Sequence, residues 1–226
     1  MNITTINSIE ISSVCDNACQ YCPAKDQHRY RETGFMTMET FGKVIDWVKV
    51  FIKNGTQKEI NLFGCGEPTL NPHVVEMVQL ARQRLPFTQI LHMNTNGKTM
   101  TRELAADLKH AGISHIDLTL HNSYDAAKTI KIFREVGIEG KLSIDPIMRP
   151  NNWAGQVDWF APDYCAGPCP WLANGQIMVM SNGNISHCCI DAFWTGKLGN
   201  INDDLTKIDM QPMELCKGCH HSIEEK

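Results

Sequence analysis

The sequence predicts an α/β protein, a partial (β/α) barrel of about five to six parallel strands with a small C-terminal domain that contains a β-hairpin. Strand-like and helix-like segments alternate from residue 7 to about residue 147, which is the pattern of βα units in a parallel sheet. After Pro150 the helical periodicity stops, and Pro, Gly, Asn and Trp crowd residues 150–171. We therefore expect a barrel domain over residues 1–150 and a second domain over residues 151–226.

The first half of the alternation contains three candidate strands and two candidate helices. Each strand-like run is followed by a stripe of apolar residues at helical spacing. In such sheets ligands bind at the carboxyl ends of the strands, so the turns after these strands are candidate sites. The predicted order is a strand over Ser8–Val14, a helix over Met38–Lys53, a strand over Glu59–Phe63, a helix carrying Val74, Met77, Val78 and Ala81, and a strand over Gln89–Met93.

The second half continues with helices whose ends carry capping signals. Thr101 and Gly112 bound one predicted helix, and Ser123 and Gly137 bound the next. Five strands are too few to close an eight-stranded barrel, so the barrel is expected to be partial. The predicted elements are a helix carrying Leu104, Ala105, Leu108 and Ala111, a strand over Ile113–Leu120, a helix carrying Ala126, Ile130 and Phe133, and a strand over Lys141–Ile147.

The composition argues against a nucleic-acid-binding, a membrane-spanning or a secreted protein. The chain has 226 residues, a net charge of −4 and ten cysteines. No basic stripe indicates nucleic-acid binding, and no run of about 18 apolar residues indicates a membrane span. The N-terminus lacks a charged segment followed by an apolar one, so no secretion signal is visible. We expect a cytoplasmic metalloprotein, with a secreted disulfide protein as the alternative.

Three cysteines near the N-terminus, Cys15, Cys19 and Cys22, follow the first predicted strand in the spacing C-x3-C-x2-C. Three thiolates can ligate three irons of a [4Fe–4S] cluster and leave the fourth iron open for another ligand. The triplet could also be half of a zinc site or three disulfide partners. Zinc usually takes pairs of cysteines, and no second pair lies close by in the sequence.

A glycine-rich turn with a carboxylate follows the second predicted strand, as Gly64-Cys65-Gly66-Glu67-Pro68. Glycines let the backbone approach a ligand closely. A glutamate at such a turn can accept hydrogen bonds from an ammonium group.

The triplet and the turn together resemble the signature of the radical S-adenosylmethionine (SAM) superfamily. In that family SAM chelates the open iron through its amino and carboxylate groups, and the reduced cluster splits it into methionine and a 5′-deoxyadenosyl radical. The turn is similar to the family's Gly-Gly-Glu-Pro segment, which binds the SAM amino group, with Cys65 where the family most often has glycine. The resemblance implies SAM contacts by Gly64, Gly66 and Glu67, and Cys65 is interpreted as a tolerated small side chain rather than a ligand.

Further SAM contacts are implied by the same resemblance. Tyr21 would pack near the adenine, and Thr119 would meet the ribose or the methionine carboxylate. The Asn94–Gly97 turn after the third strand, with Asn96, would line the SAM or substrate cavity. Arg149 would follow the fifth strand at the active edge of the sheet. The alternatives are a core tyrosine, a threonine satisfied within the sheet and a solvent-exposed arginine.

The remaining cysteines lie in the last third of the chain. Cys169, Gly183 and Cys188 fit the pattern C-x9–15-G-x4-C around a predicted hairpin with a strand over Gln176–Met180, and Cys216 and Cys219 form a C-x2-C pair. This layout resembles the auxiliary-cluster domain called SPASM or, in its shorter form, Twitch. The resemblance implies a second [4Fe–4S] cluster on Cys169, Cys188, Cys216 and Cys219.

A zinc site is the alternative for these four cysteines, because a hairpin followed by C-x2-C also suits a zinc ribbon. Cys165 and Cys189 are spare, although Cys165 could replace Cys169 as a ligand. His187, His220 and His221 flank the cysteines. Histidine substitutes for cysteine in some clusters, but we expect these three to face solvent.

The resemblance implies a dehydrogenase-like radical SAM oxidoreductase that acts on a small molecule, with two [4Fe–4S] clusters, SAM and a flavodoxin or ferredoxin as electron donor. Arg149, Asp117 and His121 are the candidate polar groups on the substrate side. One alternative is radical modification of a ribosomal peptide or protein side chain. Another is a non-catalytic iron–sulfur electron carrier, which would have no use for a SAM amino-group site.

Overall fold

The computed structural model describes residues 2–120, 126–144, 152–158, 168–219 and 221, with only the backbone for Leu120, Ser143 and Ile144. One eight-stranded sheet runs through it. Its strands are β1 (Thr5–Ile9), β2 (Glu59–Asn61), β3 (Ile90–Thr95), β4 (His115–Leu120), β5 (Leu142–Ile144), β6 (Gln176–Val179), β7 (Asn184–Ser186) and β8 (Gly199–Asn200). Their order is β5-β4-β3-β2-β1-β6-β7-β8.

The six neighbouring strands from β5 to β6 are all parallel, which confirms the predicted partial barrel. The sixth strand is the one that the sequence indicated only as the start of a hairpin. It pairs with β1 in parallel, from Thr5 opposite Gln176 to Ile9 opposite Val179, and it pairs with β7 antiparallel. The hairpin therefore extends the barrel sheet directly.

Helices cover one face of the sheet. They are α1 (Met38–Lys53), α2 (Val74–Arg84), α3 (Arg102–Ala111), α4 (Ala127–Val136) and the short α5 (Pro170–Ala173). The predicted caps of α3 are confirmed, since Thr101 accepts a hydrogen bond from the Leu104 amide and Gly112 has φ 98°. Gly137 ends α4 at φ 73°, whereas Ser123 lies outside the described residues.

The first strand lies earlier than predicted. It covers Thr5–Ile9 rather than Ser8–Val14, because the residues after it pair with the returning end of the cysteine loop. The Met36 amide donates to the Ile11 carbonyl, and the Ser13 amide donates to Gly34. The chain therefore leaves the sheet before the first cysteine and closes the loop that carries all three.

The two faces of the parallel sheet have opposite character, because successive side chains of a strand alternate between faces. The helix-covered face is apolar and forms the main core, with Ile60, Leu62, Leu91, Met93, Ile116 and Leu118 buried. The opposite face, called the inner face below, is polar and carries Asn61, His92, Asn94, His115, Asp117 and Thr119. Among the described residues, no helix is long and apolar enough to cross a membrane.

Candidate active site and the second cysteine cavity

The three N-terminal cysteines converge on one cavity of about 230 Å³ beyond the carboxyl ends of the strands. Burial, together with the neighbouring thiols, raises the pKa of Cys22 to about 12 and also raises the pKa of Cys15. Three thiols that face one space form a donor set for a metal cluster. The amide of Asn17 and the side-chain amide of Asn96 approach the Cys15 sulfur at 3.4 and 4.0 Å.

The glycine turn packs directly against the start of the cysteine loop. A Cβ atom at Gly66 would lie 2.2 Å from the Ser12 carbonyl oxygen, and one at Gly64 would lie 2.6 Å from the Glu10 side chain. Only glycine fits at these two positions. Between them Cys65 is buried, and burial raises the pKa of its thiol well above the usual value. Its amide donates to a carboxylate oxygen of Glu10 at 3.1 Å.

Glu67 is buried at the centre of the site, and its carboxylate orients the neighbouring turn. Oε1 accepts hydrogen bonds from the Thr69 amide and hydroxyl and from the Thr95 hydroxyl, and Oε2 accepts one from the Asn96 amide at 2.7 Å. Burial nevertheless raises the pKa of Glu67, against the effect of these hydrogen bonds. The carboxylate thus fixes the end of β3 while one edge of it faces the cavity.

Within the described residues, every SAM contact implied by the sequence lies at this cavity. The turn predicted over Asn94–Gly97 contributes Asn94, Thr95 and Asn96 to the lining, whereas Asn17 and Trp153 were not predicted, because nothing in their spacing marks them. Two orphan groups fit a polar ligand here: Asn17 Nδ2 and Asn94 Oδ1 are buried without a hydrogen-bond partner. The described lining residues are Cys15, Asn17, Cys19, Tyr21, Cys22, Phe63, Gly64, Cys65, Gly66, Glu67, Asn94, Thr95, Asn96, Thr119 and Trp153.

Of the three candidate substrate-side residues, only Asp117 lies within the described residues. It stands two residues before Thr119 on β4 and is not among the described residues that line the cavity. Its Oδ1 accepts the Lys141 amide at 2.7 Å, and its Oδ2 lies 3.3 Å from His92 Nε2. His121 and Arg149 lie outside the described residues.

A second cavity, of about 150 Å³, brings together the four cysteines that the sequence grouped. Cys169 lies at the start of α5, Cys188 follows β7, and Cys216 and Cys219 lie on a 3₁₀ turn. The other walls are mostly apolar. Burial raises the pKa of Cys188 and Cys216, as do neighbouring cysteines. Four convergent thiols in an apolar pocket fit a cubane cluster or a zinc ion.

The expectation for His187 was wrong, since this histidine is buried at 1% exposure and lines the second cavity. Its Nε2 lies 3.8 Å from the Cys216 sulfur. His221 also lines the cavity, and its amide donates to the Cys219 sulfur at 3.5 Å. His220 and the spare Cys165 lie outside the described residues. Hydrogen-bond donors around cluster sulfurs tune a site, and the sequence alone does not reveal them.

Two consecutive residues join the cavities. Trp153 lines the first and Ala154 lines the second, and both have left-handed backbone at φ 54° and 55°. Such backbone is costly for residues other than glycine and persists only where the surrounding structure holds it. The Trp153 indole donates to the Tyr21 carbonyl at 2.9 Å, within the cysteine loop. This strained pair is therefore a shared wall of the two cysteine sites.

Comparison with known proteins adds a family match. The profile of the Radical SAM superfamily matches residues 9–154. A GTP 3′,8-cyclase of Rhodopirellula baltica is 29% identical over 132 residues, which are 58% of this chain and 35% of the cyclase. A tungsten-containing aldehyde ferredoxin oxidoreductase cofactor-modifying protein of Pyrococcus furiosus is 33% identical over 105 residues, 46% of this chain and 27% of that protein. The chain thus matches about a third of the length of these relatives.

Two crystal structures share the fold over most of the chain. BtrN in complex with AdoMet and 2-DOIA has a TM-score of 0.72 at 20% identity, covering 89% of this chain and 80% of BtrN. His-tagged anSMEcpe with bound AdoMet has a TM-score of 0.63 at 16% identity, covering 90% of this chain and 76% of that one. These likenesses confirm the predicted fold over most of the chain.

Proposed function

Because this chain belongs to the radical SAM superfamily, we propose that it is a radical SAM oxidoreductase that oxidises an alcohol group of a small polar molecule. The observation that supports the proposal is that Trp153 lines the first cysteine cavity while the next residue, Ala154, lines the second. When bound, SAM and its reduced [4Fe–4S] cluster supply a hydrogen-abstracting 5′-deoxyadenosyl radical, and an auxiliary [4Fe–4S] cluster supplies an acceptor for the second electron of the oxidation.

Different residues of the first cavity would hold the SAM cluster and the separate parts of SAM. Cys15, Cys19 and Cys22 would hold the SAM cluster, and the Gly66–Glu67 turn would receive the SAM amino group. Asn96, Thr119 and Tyr21 would hold the rest of SAM. The chain's task is to fix SAM close to the substrate C–H bond and to exclude water.

The substrate must also lose its hydroxyl proton, so a base is needed on the substrate side. Asp117, His121 and Arg149 remain the proposed polar groups there. Cys169, Cys188, Cys216 and Cys219 would hold the auxiliary cluster in an apolar pocket. We propose a flavodoxin or ferredoxin as the donor of the first electron. The size and cysteine layout are similar to those of 2-deoxy-scyllo-inosamine dehydrogenase, which makes an aminocyclitol the first substrate to test.

The proposal is tested with anaerobically reconstituted protein, SAM, dithionite and 2-deoxy-scyllo-inosamine deuterated at its carbinol carbons. We expect about eight irons per chain as two cubane clusters, a ketone product and deuterium in 5′-deoxyadenosine. About four irons with zinc in the remaining site would contradict the auxiliary cluster. Transfer of deuterium without any ketone would contradict the oxidation and favour a redox-neutral modification.

Two cysteine variants separate the roles of the sites. Replacing Cys15, Cys19 and Cys22 with Ala should abolish SAM cleavage and leave about four irons. Replacing Cys216 and Cys219 with Ala should still allow 5′-deoxyadenosine formation but give little ketone, provided that circular dichroism shows a folded chain. Normal ketone formation by the folded variant would mean that the second site is structural.

A further inference from the structure

Two histidines and a glutamate cluster on the inner face of the sheet, towards the amino ends of its strands. Glu59 and His115 are the first residues of β2 and β4, and His92 lies opposite both Asn61 and His115 in the strand register. Glu59 Oε1 is 3.3 Å from His92 Nδ1 and 3.9 Å from His115 Nε2. One donor atom from each of the three residues lies within 4.8 Å of the other two.

The oxygen acceptors around His92 outnumber the protons that a neutral imidazole can donate, which leaves a deficit of positive charge there. Nδ1 faces Asn61 Oδ1 at 2.8 Å and Glu59 Oε1 at 3.3 Å. Nε2 faces Asp117 Oδ2 at 3.3 Å, yet makes no hydrogen bond of good geometry. Both ring nitrogens therefore point at oxygen acceptors, while a neutral imidazole carries a single N–H.

The Asn61 amide is fixed in the orientation that creates this deficit. Its Nδ2 donates to the carbonyl oxygen of Asn7 at 2.8 Å and to the Asn7 side-chain oxygen at 3.2 Å. The oxygen Oδ1 is thereby turned towards His92, and exchanging the two amide atoms would break both bonds. Nδ1 must then face a proton or a metal cation.

A second proton on His92 is a poor solution, because the ring of His115 stacks on that of His92 with centroids 4.3 Å apart. A cation at Nδ1 leaves the single proton for Nε2 and lets it donate to Asp117. A carboxylate behind a ligating histidine is the usual arrangement at protein metal sites, and Asp117 is itself held by the Lys141 amide.

We propose that Glu59, His92 and His115 bind one divalent transition-metal ion, Zn²⁺ or Fe²⁺, with Asp117 orienting His92. Two imidazoles and one carboxylate form a donor set that both ions use in proteins. Ligands about 2.0–2.1 Å from a tetrahedral ion lie roughly 3.3 Å apart, so the Glu59–His92 distance already fits. The donor atoms lie within 4.8 Å of one another, so binding would draw His115 in by roughly 0.6–1.5 Å. Its side chain is 32% exposed, which leaves it room.

Asn61 Oδ1 lies 2.8 Å from His92 Nδ1, so the fourth position of the ion falls to this oxygen or to a water or polar ligand group that displaces it. The Phe63 ring packs edge-on against His92 at 5.6 Å and also lines the SAM cavity. The metal site therefore lies beneath the floor of that cavity, on the same inner face. It also ties β2, β3 and β4 together at the ends remote from the cysteines.

The test uses zinc, on full-length protein whose cysteine sites have first been filled by anaerobic reconstitution. After dialysis against Zn²⁺ and then against metal-free buffer, elemental analysis should give about one zinc per chain in addition to the irons. Zinc-edge X-ray absorption should show only nitrogen and oxygen neighbours at about 2.0–2.1 Å. Glu59→Gln and His115→Asn should each lose at least about nine-tenths of this zinc, and Asp117→Asn should weaken zinc binding by about 10- to 100-fold.

His110→Asn is the matched control, because this histidine is exposed on α3 and should leave zinc binding unchanged. Circular dichroism checks that each variant is folded, and the partly exposed Glu59 and His115 should tolerate their substitutions. Absence of bound zinc in the wild-type protein would overturn the proposal. So would sulfur neighbours around the zinc, or equal retention of zinc by His115→Asn.

Discussion

At the scale of single residues, the first site depends on buried polar groups that hold backbone in place before any cofactor binds. Glu67 is 2% exposed and accepts four hydrogen bonds from the chain. The sequence predicted it as a ligand of the SAM amino group, and its pocket-facing edge is compatible with that role. Its carboxylate also fixes the amide of Asn96, which a motif cannot reveal. Binding and positioning are therefore combined in one side chain.

Replacing the Glu67 carboxylate with a neutral amide tests whether this side chain both binds SAM and positions the backbone. In Glu67→Gln the neutral amide loses the charge that would hold an ammonium group and points an NH₂ group at the Asn96 amide. A hydrogen bond to a charged group contributes about 1.5–3 kcal/mol, so SAM affinity should fall by roughly 10- to 100-fold. Equilibrium dialysis with SAM measures this fall, and the iron content should stay unchanged. Thr69→Ala is the matched control, because it removes one donor to Glu67 and keeps the charge.

At the scale of elements, one buried ion pair joins segments that are distant in sequence. Arg31 donates to both carboxylate oxygens of Glu10 at 2.8 Å, and both side chains are at most 1% exposed. Glu10 also accepts the amides of Cys65 and, more weakly at 3.4 Å, Ser181. The Arg31 guanidinium lies 4.3 Å from the centre of the Trp194 ring. The pair thus connects the cysteine loop, the glycine turn and the β6–β7 hairpin.

Breaking the ion pair between Glu10 and Arg31 should lower the thermal stability of the whole protein. Arg31→Met leaves the Glu10 carboxylate buried without its cation, which typically costs about 3–5 kcal/mol. For a chain of this size the thermal midpoint should fall by roughly 6–20 °C. Glu10→Leu/Arg31→Met removes both charges and should recover most of the loss. Anaerobic thermal scans of the reconstituted proteins measure both. A double variant that is as unstable as Arg31→Met would show that shape, not charge, is responsible.

Elements whose signals lie within a short stretch of sequence were predicted correctly. Features that depend on contacts between distant residues were not. The helix over Met38–Lys53 was predicted at both ends, because its apolar face and the short cap at Thr37 are local. The first strand was misplaced, because Ile11 and Ser13 bond with residues more than 20 positions later. Spacing grouped the cysteines correctly, but the left-handed Trp153 and the buried His187 depend on packing that leaves no sequence pattern.

At the scale of the whole molecule, the two ends of the sheet differ in what stabilises them. The strands from β5 to β6 pack their apolar face on helices in one core. The segment from β7 onward has short strands and 3₁₀ turns, and its Cys188, Cys216 and Cys219 meet Cys169 at one cavity. A small region with little regular structure commonly depends on a metal for its stability. The self-stabilised part would then include β6, beyond the proposed domain boundary near residue 150, and the cluster-stabilised part would begin at β7.

Hydrogen exchange can test this division without a substrate. Replacing Cys216 and Cys219 with Ser removes two of the proposed auxiliary ligands and leaves the first cysteine site intact. Backbone amides in residues 184–219 should then exchange at least about tenfold faster, because local opening no longer breaks cluster bonds. Amides of α3 should keep their protection, since that helix packs in the barrel core. The variant lacking Cys15, Cys19 and Cys22 should show the opposite pattern, with faster exchange confined to the N-terminal loop. Equal acceleration along the whole chain in both variants would mean that the molecule is one cooperative unit and that the second cluster does not stabilise a separate region.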